Sequence, residues 1–78
     1  MPSKLKKFEH YEKRFGTIAI EKGFITKDQL VDALSVQVRE NMDDGIHRLI
    51  GTILLDMDFM NADEIEETAK AALDAGIG

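Results

Sequence analysis

The chain has 78 residues, no cysteine and a formal net charge of −5. This length accommodates one domain with one core, which buries only about 60% of the surface exposed in the unfolded chain. The absence of cysteine excludes disulfides, thiolate metal ligands and a cysteine nucleophile, and 44% hydrophobic with 32% charged residues fits a soluble globular fold.

The charge is unevenly spread. Residues 1–14 carry five basic and two acidic side chains, whereas residues 15–78 carry five basic and thirteen acidic ones. An acidic body repels phosphate backbones, so nucleic acid is not an expected partner. The segment 1–9 reads as a flexible basic end, open to an acidic partner or a lipid surface or simply solvated. No apolar run is long enough to span a bilayer or to form a signal-peptide core, and the expected location is the cytoplasm.

Four helices are expected, in a single domain over 10–78. The first covers about His10 to Lys22, or starts a turn earlier. Phe8, Tyr11, Phe15, Ile18 and Ala19 recur at helical steps, and Gly23 supplies a stop. The second begins at a capping box, Thr26 with Gln29, flanked by an Ile25–Leu30 staple. Its expected core stripe is Leu30, Ala33, Leu34 and Val38, and it ends near Asn41 or Met42 before the Asp43-Asp44-Gly45 turn.

The third helix is expected from about Ile46 to Met57, capped by Asp44, with Ile50, Ile53, Leu54 and Met57 as apolar contacts. Asp58 then takes the place that Gly23 takes earlier, since aspartate tolerates left-handed geometry. The fourth begins after Asn61, with Glu64 completing a second capping box and Met60 and Ile65 a second staple. Its stripe is Ile65, Ala69, Ala72 and Leu73, and Gly76 is its expected end. Met42, Met57 and Met60 are read mainly as core fillers, or as an adaptable interaction surface.

The two halves match at an offset of 35, with repeats over about 10–41 and 46–75. Gly16-Thr17-Ile18 aligns with Gly51-Thr52-Ile53, Phe24 with Phe59, Thr26 with Asn61 and Leu30 with Ile65. Neither half can bury its apolar face alone, so the expected fold is all-α: two tandem helix-turn-helix hairpins packed into a compact bundle.

The run from Arg14 through Gly16, Ile25, Leu30, Leu34 and Gln37 resembles the N-terminal domain of type II secretion and type IV pilus assembly ATPases. That family carries an arginine-leucine-glycine start, spaced leucines and a closing glutamine, twice in tandem, and some members bind cyclic di-GMP through the two motifs. In this chain Phe15 and Ala19 replace two of the leucines. The second copy, aligned on Gly51, has Leu49 first, with Arg48 one residue earlier, and Ala72 in place of the glutamine. The chain has no phosphate-binding loop, so the family's ATPase activity is not expected of it.

The resemblance makes Arg14, Gly16, Gln37, Arg48 and Gly51 the candidate ligand residues. A guanidinium at Arg14 can grip phosphate or a guanine edge, or stand solvated beside Glu12 or Glu21. Gly16 and Gly51 permit close approach of a base, or of a neighbouring helix. Gln37 lies on or beside the apolar stripe. Its amide needs partners, either a nucleobase edge or a backbone carbonyl of the adjoining loop. Arg48 is a candidate second cation.

His10 and His47 lack metal-ligand spacing, the acidic residues 63–67 serve a helix start, and Asp43-Asp44-Gly45 lacks the further ligands of a calcium loop. No cofactor and no catalysis are expected. The expected function is a non-enzymatic interaction or regulatory module that binds another protein. The alternatives are a cyclic di-GMP sensor and a structural homodimer. A DNA-binding helix-turn-helix is disfavoured by acidic helix starts.

Overall fold

The computed structural model describes the backbone of residues 3–77 and the side chains of residues 11–74. The order is α1 (Ser3–Glu21), α2 (Lys27–Asp44), α3 (Ile50–Asp56) and α4 (Ala62–Ile77). The fold is all-α, and regular structure among the described residues is entirely helical. Among the described residues, no helix is long and apolar enough to cross a membrane.

Local chemistry sets most of the helix ends. Thr26 Oγ1 accepts from Gln29 N at 3.1 Å, and Gln29 Oε1 accepts from Thr26 N at 2.9 Å. Asn61 and Glu64 repeat the box at 2.8 and 3.0 Å. The helix stops repeat as well. Gly23 N donates to the Ile20 carbonyl and Phe24 N to the Ala19 carbonyl, both at 3.0 Å. Asp58 N and Phe59 N make the same pair of bonds to Leu55 and Leu54 at 3.0 Å. Both stops are Schellman motifs, and their central residues take φ of +79° at Gly23 and +66° at Asp58.

Several boundaries differ from expectation. α1 starts at Ser3 instead of near His10, so the basic stretch is helical from Ser3 onward. Nothing between Pro2, the only proline, and Gly16 opposes a helix. α2 runs on to Asp44, where Gly45 closes it at φ 68°. Gly76, the expected end of the fourth helix, lies inside α4.

The largest difference is α3, which begins at Ile50 and not at Ile46. Residues 46–49 stay out of the helix because Gly45 is left-handed, and because Ile46 N is drawn back to the Glu40 carbonyl at 3.4 Å. Asp44 does not cap α3. Leu49 holds the cap position and offers no side-chain bond.

Packing runs mainly across the repeat: α1 lies on α4 and α2 on α3. Phe15, Ile50, Ile53 and Leu54 are the large side chains at the centre, joined by Ala19, Ile25, Ala33, Met60 and Ala72. Each large aliphatic or aromatic group removed from water contributes roughly 1.5–3 kcal/mol. Thr68 is fully buried and its Oγ1 has no hydrogen-bond partner among the described residues.

Candidate functional site

The two motif glycines are packing positions. A Cβ on Gly16 would lie 2.9 Å from Leu30 Cδ2, and one on Gly51 would lie 3.0 Å from Phe15 Cζ. Side chains of this chain therefore occupy both close approaches, within the core.

Gln37 is half-buried and points inward. Its Nε2 donates to Glu12 Oε1 at 2.7 Å and to the Arg48 carbonyl at 2.8 Å. Both amide hydrogens are thereby used, one of them on the loop carbonyl that was the alternative to a base. Glu12 in turn accepts from Ile50 N at 3.0 and 3.2 Å. A carboxylate from α1 thus satisfies an amide at the start of α3 that has no intrahelical partner, where the helix dipole favours negative charge.

Arg48 is held by two carboxylates of this chain. Its Nε and Nη2 grip Glu40 as a fork at 3.0 and 2.8 Å, and its Nη1 reaches Asp56. Hydrogen bonds to Glu40 and then to Asp56 hold its pKa above the ordinary arginine value. Arg14 is half-exposed and makes no hydrogen bond or ion pair among the described residues. Gln37 and Arg48 meet, therefore, but as parts of a network tying α1, α2 and α3 together. His47 is exposed and its Nδ1 lies 3.0 Å from Asn41 Nδ2, while the side chain of His10 lies outside the described residues.

The part of the surface that the sequence pattern misassigned is the outer face of α2. Leu34 and Val38, expected in the core, are 40% and 54% exposed, and Val31 and Met42 are 57% and 79% exposed. Met42 is thus not a core filler, whereas Met60 is buried and Met57 packs against the core. Leu73 of α4 is also exposed. The buried side of α2 carries Ala33, Leu30 and Gln37.

Val31, Leu34, Val38 and Met42 follow helical spacing and form one open face of α2 together with Ser35 and Arg39. Asp43 borders that face, and the exposed Asp28 and Asp32 continue that border toward the start of the helix. The repeat provides an internal reference for this face. At the equivalent places α4 carries Glu66 for Val31, Ala69 for Leu34, Lys70 for Ser35 and Leu73 for Val38. Met42 corresponds to Ile77, so across the four stripe positions the other copy keeps a large apolar residue at two and has a charged or small one, Glu66 and Ala69, at the other two.

Comparison with protein-family models, with curated proteins and with solved structures finds no match to this chain.

Proposed function

We propose that this chain is a small, non-catalytic interaction module that docks another protein through the outer face of α2. The observation that carries the reading is the exposed stripe Val31, Leu34, Val38 and Met42. Isolated exposed apolar residues are ordinary, but an aligned set with a polar border is typical of an interaction surface. The first half's resemblance to secretion-ATPase N-terminal domains supports the same regulatory or interaction role. What weighs against cyclic di-GMP is that Gln37 and Arg48 spend their donors inside the molecule.

The test is affinity capture from cells that express the chain, comparing it with Val31→Glu/Val38→Glu and with Glu66→Gln on α4. A partner held by the native chain and by Glu66→Gln, and lost from the double variant, is the expected result. Identical captured sets for all three, or none, would refute the reading.

A further inference from the structure

We propose that the partner seated on α2 is a basic amphipathic helix. The inference rests on the reading of α2 as a docking face and names the chemistry of what docks there. The four apolar side chains fall at i, i+3, i+7 and i+11, spanning about 16 Å at ~1.5 Å per residue. An apolar stripe at these steps is the face by which one amphipathic helix packs along another.

Charge selects the kind of helix. Asp28, Asp32 and Asp43 border the stripe and Asp44 follows at its end, against Lys27 and Arg39 as the only basic residues of α2. Beyond the first fourteen residues the chain carries eight more acidic than basic side chains. A rim of this sign steers a cationic partner inward and repels an anionic one, including an anionic lipid surface.

The same rim argues against a second copy of the chain. In an antiparallel pairing of two α2 helices, Asp32 comes beside Arg39 of the other copy. That pair is centred between Ser35 and Val36. Asp28 and Asp43 share the same centre, so the same register places two like charges together. The gain of one pair is offset by the other, and each copy brings a net charge of −5.

The test uses the isotope-labelled full chain and two synthetic helical peptides as long as α2. Both share one leucine stripe; one has lysine flanks and the other glutamate flanks. The lysine peptide should produce saturable amide shifts centred on Val31–Asp43, and the glutamate peptide should bind at least about tenfold more weakly. Asp32→Asn/Asp43→Asn, with its fold checked by circular dichroism, should weaken the lysine peptide by about tenfold and blunt its salt dependence. Equal binding of both peptides would overturn the basic preference while leaving α2 a docking face. Absence of binding at millimolar peptide would overturn the amphipathic-helix partner, and the capture experiment would then judge the docking face on its own. A dimer in light scattering that Val38→Glu dissolves would replace the proposed partner with a second copy.

Discussion

Glu12 caps a helix that begins 38 residues further along the chain: its carboxylate accepts the Ile50 amide at 3.0 and 3.2 Å. Leu49, in the cap position, offers no side-chain bond, so this long-range contact is the side-chain cap of α3. The same carboxylate holds Gln37 at 2.7 Å. Glu12→Ala removes both interactions and should destabilise the chain by about 1–2 kcal/mol in chemical denaturation. Glu12→Gln keeps one acceptor oxygen but loses the charge, and should cost less than Glu12→Ala. A change below about 0.5 kcal/mol for Glu12→Ala, the range of an ordinary surface substitution, would show that the cap does not hold α3.

This contact also explains what could and could not be read from the sequence. The boxes Thr26–Gln29 and Asn61–Glu64 and the stops at Gly23 and Asp58 are local, so a few adjacent residues reveal them. The start of α3 depends on Glu12, far away in sequence, and the apolar residues Ile46 and Leu49 invite a longer helix than forms. The face of α2 departs from its periodicity for a related reason. Its outer side is more apolar than its inner side, so periodicity selects Leu34 and Val38 for the core. The inner side tolerates Gln37 because Glu12 and the Arg48 carbonyl satisfy its amide there. Of the five candidate ligand residues, the sequence placed Gln37 and Arg48 near one another in function. It could not show that they are occupied by this chain's own groups.

Asp58 takes φ +66° where the other copy has glycine at +79°. A residue with a Cβ is strained there by roughly 1–2 kcal/mol, and a carboxylate at a helix C-terminus also opposes the dipole. Asp58→Gly should therefore stabilise the chain by about 0.5–1 kcal/mol, and Gly23→Ala should destabilise it by about 1 kcal/mol. Denaturant midpoints of the two variants should move in opposite directions. Movement in the same direction would mean that the conformation at these two stops does not govern their stability.

Gly16 and Gly51 should respond differently to alanine. The new Cβ at Gly16 meets the tip of half-buried Leu30, a flexible side chain that can turn aside. Alanine also favours helix by up to about 1 kcal/mol, so Gly16→Ala should be near neutral. At Gly51 the Cβ meets the ring of Phe15, which is packed in the core and cannot yield. Gly51→Ala should cost about 1–3 kcal/mol, as overpacking does. Thermal unfolding of the pair checks the ranking, and an equal loss at both sites would contradict it.

Thr68 buries a hydroxyl with no partner among the described residues, at the place where the other copy has Ala33. An unsatisfied buried polar group costs about 1–3 kcal/mol, and valine has nearly the same shape. Thr68→Val should raise stability by about 1 kcal/mol in urea unfolding. A destabilised variant would show that the hydroxyl has a hydrogen-bond partner in solution.

Tyr11 is the only tyrosine, and the chain has no tryptophan, so its ionisation can be followed directly by ultraviolet absorbance. Burial, and then the neighbouring charge of Glu12, push its phenol above the ordinary value of 10.0. Its ring lies 6.1 Å from that of Phe15, at the edge of the core. The protonated form is therefore favoured in the folded chain relative to the unfolded one. The resulting stabilisation is complete below the unfolded value and is lost as pH rises through the higher folded value. The absorbance midpoint should lie above the ordinary value in buffer and return to it in denaturant, with stability falling across that alkaline window. Glu12→Gln should bring the folded midpoint part of the way down, since burial, the larger cause, remains. Coincident midpoints in buffer and denaturant would mean that the Tyr11 ring is solvated and that the middle of α1 does not seal the core there.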